Sequence, residues 1–552
     1  MSAAKFSISY HPADPGPPLW EITVGDMMDK IATAWPDRTA LVEGVSDPSK
    51  RRRWTFRQLV DQSKSLARTL LRRFEVGDRI GLLAPETPEW MLFQHALSYA
   101  GLIVVPVNPT YTERELEFVL RNSGARGLIF AEASRNRPLR PVVEAICPKL
   151  PELRETISLD EIGNLLAQSD PSVALPQLDP RATMQIQYTS GTTGQPKGAC
   201  LHHMGVVNTA RQIADRADFP EGGVWINAMP MFHIGGGIVS QIGTFSHAGT
   251  FVLMQAFEPG LFLELIESEQ CNNSLIVPTM ILALLNHPDM KTRDVSSFKS
   301  ILSGASNVPA ALVVRAKQEF NCNFCIMYGQ TESNGPFLET STSDPVERQT
   351  ETIGRPTPHI EVMIANIETS KPQPLNTVGE IWVRGFLTMS GYYGMPEASA
   401  AALTNEGWLR TGDLGRMDED GYFKITGRLK EMIIRGGMNL YPKEIEDVIF
   451  QHPKVGQIAV VGLPDETWGE IVAAVVQPKA SESLTADELY AYCRKYLSPQ
   501  KTPERWFFVD CYPMTATGKI QKNKLTTSIQ DGEILAVDWR KPSGSGARAT
   551  SL

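Results

Sequence analysis

One stretch of the sequence combines glycines, hydroxyl side chains and a lysine in a pattern suited to binding phosphate. It runs Tyr188-Thr-Ser-Gly-Thr-Thr-Gly-Gln-Pro-Lys-Gly198. The glycines let backbone N–H groups turn toward an anion, the hydroxyl residues add donors, and Lys197 adds a positive charge. A P-loop would need Gly-Lys-Ser/Thr, whereas Lys197 stands between Pro196 and Gly198. The stretch predicts a phosphate-binding loop of another kind, with a flexible surface turn as the alternative.

Three further motifs carry side chains suited to nucleotide or acid binding. Ser303-Gly-Ala-Ser306 has small residues that would let a flat base approach the backbone. Tyr328-Gly-Gln-Thr-Glu332 offers an aromatic face, a hydroxyl for a phosphate and a carboxylate for Mg²⁺. Met229-Pro-Met-Phe-His-Ile-Gly-Gly-Gly237 sets a histidine among apolar residues, where a histidine is more often part of the core. By spacing alone, none of the three motifs is specific.

The composition indicates what kind of protein must position these groups. The chain has 552 residues, of which 42% are hydrophobic and 21% charged, and a formal net charge of −9. These values predict a globular protein of more than one domain. Nucleic acid is not an expected partner, because the longest basic run, Lys50-Arg-Arg-Arg53, is short and is predicted to lie on a solvated loop. Without a signal pattern or a long apolar run, we expect a cytoplasmic protein with no membrane span.

Strand and helix patterns alternate in the first part of the chain. Between residues 24 and 131, helix-period segments are separated by short apolar runs at 80–83, 102–107 and 128–131. This alternation predicts parallel sheets covered by helices on both faces. In such folds, ligands bind at loops that follow the carboxyl ends of strands, and we therefore place loop 189–198 at such an edge.

The loop resembles the signature loop of the adenylate-forming superfamily, which includes acyl-CoA synthetases, luciferases and the adenylation domains of peptide synthetases. Matching motifs continue in the family's order to about residue 525, among them Trp408-Leu-Arg-Thr-Gly-Asp413 and Gly427-Arg-Leu-Lys430. The resemblance implies an α/β fold with a large N-terminal domain, residues 1–429, of two doubly wound sheets and a distorted β-barrel. A small mobile α+β C-terminal domain, residues 430–540, is expected to follow, with a disordered tail at 541–552. The residue pattern of this domain predicts helices at 442–450 and 486–496, and Thr485 with Glu488 fits a capping box at the start of the second.

The resemblance also assigns roles to individual residues. The catalytic residues that it implies are Lys519, Lys197, Thr331, Glu332 and His233, with Glu332 as the Mg²⁺ ligand. The residues implied to bind ATP are Thr189, Ser190, Gly191, Thr192, Thr193, Gly194, Lys197, Gly304, Ala305, Ser306, Tyr328, Gly329, Thr331, Asp413, Arg428 and Lys519. Lys430 is implied to be the pivot of the small domain, and Gly436 and Gly437 are implied to flank the path of the coenzyme A thiol.

The acyl pocket is expected around His233 and the glycines that follow it. Gly235, Gly236 and Gly237 are expected to leave volume unfilled, and their neighbours are apolar, so the pocket should favour a sizeable hydrophobic acid. Family members that activate amino acids tend to carry an aspartate nearby, and none stands between Met229 and Gly243. The expected acid is a medium- or long-chain fatty, alicyclic or aryl acid.

The resemblance thus implies an ATP-dependent acyl-CoA synthetase that forms an acyl-adenylate and uses ATP, Mg²⁺ and coenzyme A. Three alternatives stay open. An adenylating enzyme that loads a carrier protein would share every motif, and a test with coenzyme A against carrier protein would separate the two. Light output with a luciferin would reveal a luciferase-like oxygenase. A catalytically inactive nucleotide-binding regulator would be expected to lack Lys519 or Glu332, and both are present.

Overall fold

The computed structural model describes residues 5–189, 196–304, 308–479, 482–514 and 520–539. The strands are β1 (Tyr10–His11), β2 (Thr39–Glu43), β3 (Arg53–Thr55), β4 (Arg79–Leu83), β5 (Ile103–Val107), β6 (Gly127–Phe130), β7 (Ala133–Ser134), β8 (Arg137–Pro138), β9 (Glu155–Ser158), β10 (Thr183–Thr189), β11 (Lys197–His202), β12 (Val224–Asn227), β13 (Thr250–Leu253), β14 (Asn273–Leu275), β15 (Ser300–Ser303), β16 (Asn323–Gln330), β17 (Gly335–Glu339), β18 (Arg355–Pro356), β19 (Ile360–Ala365), β20 (Gly379–Gly385), β21 (Leu409–Met417), β22 (Phe423–Arg428), β23 (Ile433–Arg435), β24 (Met438–Leu440), β25 (Val455–Asp465), β26 (Gly469–Pro478) and β27 (Arg505–Phe508).

The α-helices are α1 (Val24–Ala34), α2 (Phe56–Leu71), α3 (Pro88–Ala100), α4 (Glu113–Ser123), α5 (Arg140–Ile146), α6 (Ile162–Ala167), α7 (His203–Arg216), α8 (Gln241–Ser246), α9 (Pro259–Glu269), α10 (Pro278–Leu285), α11 (Ala310–Phe320), α12 (Val346–Glu351), α13 (Pro396–Ala402), α14 (Pro442–Phe450), α15 (Ala486–Tyr496) and α16 (Lys522–Gln530). A π-helix, Gly235–Ser240, leads directly into α8. Among the described helices, none combines the length and the apolar character that crossing a bilayer requires.

Two large sheets form the framework of the N-terminal part. One has six strands in the order β11-β10-β5-β4-β6-β9, and the other has nine in the order β18-β17-β16-β15-β14-β12-β13-β2-β3. The central strands of both sheets pair in parallel, and antiparallel strands lie at the edges. Apolar residues of these strands are buried among the helices that cover them. The predicted parallel α/β architecture is confirmed.

A third sheet of the N-terminal part is antiparallel, with five strands in the order β1-β19-β20-β21-β22. It lies where the resemblance placed a distorted β-barrel. Its strands β21 and β22 pair Asp413 with Arg428, so two of the predicted ATP-binding residues are neighbours by strand register.

The small C-terminal domain is built on a mixed sheet of β24-β23-β26-β25, with β27 parallel to β26. Alternate residues of β26 serve two cores. Val472, Ala474 and Val476 pack with α14 and α15, whereas Ala473 and Val475 pack with Leu525 of α16. The predicted α+β unit is therefore confirmed, and the predicted helices 442–450 and 486–496 have the same bounds in the structure.

Two local predictions differ from the structure. The hydroxyl of Thr485 caps α15 by accepting from the Glu488 N–H at 3.2 Å, but the Glu488 carboxylate pairs with Lys454 at 3.0 Å and does not complete the expected capping box. The prediction that the basic run lies on a solvated loop is wrong at Arg51. Its side chain is 2% exposed and lies 2.6 Å from Glu264 and 2.9 Å from Glu269, because α9 presents both carboxylates to it.

Candidate active site

A cavity of about 2290 Å³ lies between the large sheets, the antiparallel sheet and the small domain. The described site residues that line it are Thr189, Lys197, His233, Gly235, Gly304, Tyr328, Gly329, Thr331, Glu332, Asp413, Arg428 and Lys430. The small domain contributes side chains such as Glu446, Lys522 and Lys524. Thr189 and Lys430 are 241 positions apart in the sequence, and both line this one cavity.

Some predicted site residues lie outside the described residues. They are Ser190, Gly191, Thr192, Thr193, Gly194, Ala305, Ser306 and Lys519. Described residues on both sides of these segments line the cavity, namely Thr189 and Lys197, Gly304 and Val308, and Met514 and Ile520. The cavity wall therefore contains described residues on both sides of each of these three segments.

The ends of the predicted phosphate-binding loop are held by an antiparallel strand pair. Thr189 at the end of β10 is the register partner of Lys197 at the start of β11, and the Thr189 hydroxyl donates to the Lys197 carbonyl oxygen at 3.4 Å. Since β10 runs parallel to β5, the loop begins at the carboxyl end of a strand of the parallel sheet, as predicted. The Lys197 ammonium lies 5.0 Å from the ring centroid of Tyr392.

Tyr392 connects Lys197 to the predicted Mg²⁺ ligand. Its hydroxyl donates to Oε1 of Glu332 at 2.8 Å. Burial, and then the Glu332 carboxylate, raise the pKa of Tyr392, so the phenol keeps its proton at neutral pH. Sequence reasoning missed this residue, because a tyrosine in Gly391-Tyr-Tyr393 carries no signal for a contact with a motif 60 positions earlier.

Glu332 fits the requirements of a Mg²⁺ ligand. It lies in the cavity wall beside Thr331, and Tyr392 fixes one of its two carboxylate oxygens. In the described part of the chain, no group of three or more acidic, histidine or cysteine side chains converges into a metal site. Mg²⁺ commonly binds through one or two carboxylates together with substrate phosphates, so a single carboxylate beside a phosphate loop suits it.

Tyr328, Asp413 and Arg428 form a second group in the cavity wall. The Tyr328 hydroxyl donates to Oδ2 of Asp413 at 2.7 Å, and Nε of Arg428 lies 3.3 Å from Oδ1. Burial, and then the neighbouring Asp413, raise the pKa of Tyr328 well above its ordinary value. The phenol is therefore a donor at neutral pH, and the carboxylate is oriented from two sides.

Glu380 supports the turn that presents Asp413, and sequence reasoning missed it. This buried residue accepts from the Gly412 N–H at 2.8 Å and from the Trp382 indole N–H at 2.7 Å. Gln330 adds a bond to the Thr411 carbonyl oxygen at 3.1 Å. In the sequence, Glu380 in Gly379-Glu-Ile-Trp-Val-Arg-Gly385 carries no signal for a contact with the turn at Gly412.

His233 lies in the cavity wall just before the π-helix. Its Nδ1 accepts from the Gly235 N–H at 3.2 Å, which makes Nε2 the nitrogen that carries the proton in the neutral ring. Apolar side chains around it in the wall are Phe232, Ile234, Val239, Leu275 and Val277. This part of the cavity combines one donor with an apolar lining.

The three glycines after His233 differ in their surroundings. Gly235 lines the cavity, and a Cβ placed there would make only ordinary contacts, the nearest at 3.4 Å. A Cβ on Gly236 would lie 2.5 Å from the Pro230 carbonyl oxygen, and one on Gly237 would collide with the carbonyl oxygen of Met231. The expectation that all three glycines open the pocket is corrected, because two of them instead allow close backbone packing.

The predicted hinge and thiol path lie at the start of the small domain. Lys430 is the middle residue of a 3₁₀-helix, Leu429–Glu431, and lines the cavity. Gly436 and Gly437 form the turn between β23 and β24 with φ values of 54° and 78°. These two glycines are exposed and do not line the cavity in this structure.

Comparison with known proteins agrees with this arrangement. The model of the AMP-binding enzyme family matches residues 28–393, and that of the AMP-binding enzyme C-terminal domain matches residues 444–519. A putative acyl-CoA synthetase, YngI of Bacillus subtilis, is 35% identical over 532 residues, which cover 91% of this chain and 96% of the relative.

Two further similarities extend over nearly the whole chain. The mouse medium-chain acyl-CoA ligase ACSF2, named as mitochondrial, is 34% identical over 93% of this chain and 88% of its own. The crystal structure of ATP-bound MatB from Rhodopseudomonas palustris superposes with a TM-score of 0.84 at 27% identity, covering 92% of this chain and 99% of that one. The chain therefore belongs to the AMP-binding enzyme family of the adenylate-forming superfamily, and the predicted enzyme class, an AMP-forming acyl-CoA synthetase, is confirmed at the level of the family.

Proposed function

We propose that the chain is an ATP-dependent acyl-CoA synthetase that activates a hydrophobic carboxylic acid and transfers the acyl group to coenzyme A. The observation that carries this proposal is the shared cavity. Groups suited to a nucleoside, to phosphates and to a carboxylate lie in its wall, and the small domain forms its opposite side. The names of the bacterial and mouse relatives support coenzyme A as the acceptor.

In the first step, a carboxylate oxygen of the acid attacks the α-phosphorus of ATP. The bond from this phosphorus to the bridging oxygen breaks, and pyrophosphate leaves with its electron pair. Lys197 and loop 189–198 would hold the phosphates, and Thr331 would donate to the α-phosphate. Lys519 would balance the negative charge that develops between the two reactants.

Glu332 would hold Mg²⁺ beside the phosphates, with Tyr392 keeping its carboxylate in place. When bound, this ion neutralises phosphate charge. At the other end of the cavity, Asp413 would accept hydrogen bonds from the ribose hydroxyls, with Arg428 beside it, and Tyr328 and the turn after Gly304 would contact the base.

The second step requires the small domain to turn. We propose the boundary at residues 429 and 430, with Lys430 as the pivot, so that Lys519 leaves and the turn at Gly436 and Gly437 approaches the acyl-adenylate. The thiol of coenzyme A would then attack the acyl carbon, and AMP would leave with the electron pair of the broken bond. The side-chain-free turn suits the passage of a narrow pantetheine arm.

The acyl group would lie in the apolar part of the cavity. There His233 would donate from Nε2 to the carboxylate, and Gly235 would leave room for the chain beyond it. The mouse relative is named for medium-chain acids, which supports an aliphatic acid of several carbons. The proposed compartment is the cytoplasm, although that relative is named as a mitochondrial protein.

Pyrophosphate release over a panel of short, medium and long fatty acids, aryl and alicyclic acids and amino acids tests the proposal, with thioester measured in parallel. Each methylene that fits should contribute up to about 1 kcal/mol, so a medium-chain acid should exceed acetate by several powers of ten in kcat/KM. Preference for acetate or an amino acid would overturn the pocket assignment. Adenylate that transfers to a phosphopantetheinyl carrier protein and not to coenzyme A would instead establish the carrier-loading alternative.

A further inference from the structure

One buried glutamine connects two parts of the candidate site that lie far apart in the sequence. Gln187 belongs to β10 and stands two residues before Thr189, where loop 189–198 begins. Its side-chain amide donates to the Phe232 carbonyl oxygen at 2.9 Å, and Phe232 directly precedes His233. Because Gln187, Phe232 and His233 all line the cavity, this hydrogen bond is part of the cavity wall.

The same hydrogen bond crosses from one large sheet to the other. Strand β10 belongs to the six-stranded sheet, whereas the segment that contains Phe232 follows β12 of the nine-stranded sheet. Because the two sheets share no strand, their backbone hydrogen bonds do not set the spacing between them. That spacing depends on contacts that reach across, and Gln187 makes one of them at the residue next to His233.

The side chain of Gln187 is held in a fixed orientation. Its Oε1 accepts from the Gln185 amide at 2.7 Å, and the exposed fractions of Gln185 and Gln187 are 2% and 4%. Successive side chains of a strand point to opposite faces, and Ile186 and Tyr188 pack into an apolar core on the other face of β10. The hydrogen bond to Phe232 therefore starts from a rigid strand.

The segment before His233 is attached to the six-stranded sheet at two points. The Met231 N–H donates to Oε1 of Glu86 at 3.3 Å, and Glu86 lies in the loop that follows β4. The Phe232 carbonyl oxygen accepts from Gln187 at the shorter distance of 2.9 Å. The second attachment adjoins His233 and comes from the strand that enters loop 189–198, so it links the two elements directly.

The first step of the proposed reaction depends on the distance between these two elements. A carboxylate oxygen has to lie about 3 to 3.5 Å from the α-phosphorus before it attacks, and a misplacement of about 1 Å can slow a reaction by about 10²-fold. In the proposed function, His233 binds the carboxylate and loop 189–198 binds the phosphates of ATP. Gln187 joins the segments that carry these two binding groups.

We propose that Gln187 is a positioning residue for adenylation, and that it sets the distance between the carboxylate bound at His233 and the α-phosphate held by loop 189–198. The inference rests on the proposed function and adds a residue to its first step. Gln187 acts through the Phe232 carbonyl group and exchanges no proton or bond with the substrates. Its loss should therefore slow acyl-adenylate formation without weakening the binding of ATP.

Gln187→Met tests this role, because it keeps the length of the side chain and removes the donor. We expect kcat for acyl-adenylate formation to fall by about tenfold or more, whereas Kd for ATP should stay within about twofold of the wild-type value. Thioester formation from supplied acyl-adenylate should survive, because the attack on phosphorus is already complete. Gln349→Met is the control and should leave adenylation unchanged. Gln349 is buried, and its amide donates to the Ser341 carbonyl oxygen at 2.9 Å outside the cavity wall.

Gln187→Glu tests the same hydrogen bond through its dependence on pH. The ionised carboxylate has the shape of the amide but cannot donate, so it would place a second acceptor against the Phe232 carbonyl oxygen. Protonation restores an O–H donor, and burial favours the neutral acid. The adenylation rate of this variant, divided by the wild-type rate at each pH, should rise as the pH falls. The same ratio for Gln187→Met should not change with pH.

The outcomes separate positioning from a merely structural role. An adenylation rate of Gln187→Met equal to that of the wild type would overturn the inference, and so would equal losses of ATP affinity, thermal stability and both half-reactions. A ratio for Gln187→Glu that does not change with pH would also overturn it, and this ratio decides alone if Gln187→Met does not fold. Failure of the wild type to form acyl-adenylate from any acid would instead refute the proposed function itself.

Discussion

The ammonium group of Lys522 lies 2.8 Å from Oε2 of Glu431, the residue that follows the proposed pivot Lys430. It also lies 2.7 Å from Oε1 of Glu446 on α14. Lys522 begins α16, shortly after the segment that contains Lys519. Lys522 thus links α16, which follows Lys519 in the sequence, to Glu431 at the start of the small domain and to α14, the first helix of that domain.

Replacement of Lys522 by methionine should destabilise the small domain. The change leaves two carboxylates close together without their cation, which should lower the free energy of unfolding by about 1 to 3 kcal/mol. Lys524→Met, at an exposed position of the same helix, is the control in urea unfolding. An equal loss of stability in both variants would contradict the role of the ion pairs.

The same ion pairs predict a dependence on pH. Burial alone would lower the pKa of Lys522, but Glu446 and Glu431 raise it, and the net shift is upward from 10.5. A group whose pKa is raised by folding stabilises the protein below its unfolded pKa, and this contribution is lost as the pH rises through the folded pKa. The stability difference between wild type and Lys522→Met should therefore be constant near neutral pH and shrink above about pH 10.5.

Tyr328→Phe should weaken ATP binding. The change removes the hydrogen bond that orients Asp413, and a bond to a charged group contributes about 1.5 to 3 kcal/mol, so KM for ATP should rise by about tenfold or more. Tyr422→Phe is a matched control, because its hydroxyl donates to Asp344 at 2.6 Å outside the cavity wall. Steady-state kinetics with varied ATP would contradict the role of Tyr328 if the two variants had the same KM.

Lys519→Ala should affect one half-reaction. Removal of a cation that acts during adenylation should slow acyl-adenylate formation by on the order of 10² or more, whereas thioester formation from supplied acyl-adenylate should survive. Lys495→Ala, at an exposed position of α15, should change neither rate. Single-turnover assays separate the two steps, and an equal loss in both would show that Lys519 has a structural role.

Lys430→Pro should slow the second half-reaction. Proline would fix φ near about −65° and restrict the turn of the small domain, so adenylation should continue while thioester formation falls. Lys430→Ala retains a free backbone and should keep both steps. If the alanine variant lost as much thioester formation as the proline variant, the side chain and not the backbone motion would be responsible.

The two neighbouring glycines Gly235 and Gly236 should respond differently to alanine. At Gly235 the added methyl group fits with ordinary contacts and occupies cavity space, so stability should remain while preference moves toward shorter acids. At Gly236 it would meet the Pro230 carbonyl oxygen at 2.5 Å, and overpacking of this kind costs about 1 to 3 kcal/mol. Thermal unfolding and a chain-length series check both outcomes. A shift in acid preference caused only by Gly236→Ala would reverse the assignment.

The sequence predicted elements best where local signals agree. Helix α14 begins at Pro442 and α15 follows Thr485, so proline at the first helical position and a hydroxyl cap fixed both starts. Motif order predicted that residues as distant as Lys197 and Lys430 belong to one site, and both line the cavity. The roles of these residues remain predictions.

Pairs of side chains from distant segments could not be predicted from the sequence. Tyr392 with Glu332, Glu380 with Gly412, and Arg51 with Glu264 depend on how sheets and helices pack, and no spacing rule describes such contacts. The glycines after His233 show a related difficulty. A glycine in a sequence predicts that a side chain is excluded, but the cause can be a ligand or a backbone carbonyl, as Gly235 and Gly236 illustrate.

The ion pairs around Arg51 also bear on how the protein avoids aggregation. Strand β3 is the edge of the nine-stranded sheet, and an exposed edge can pair with a strand of another molecule. Arg53 in this strand and Arg52 just before it are half-exposed and are held by Glu269 and Glu43. A strand approaching this edge would have to strip water from both guanidinium groups, so the basic run at residues 50–53 opposes edge-to-edge association of the folded chain.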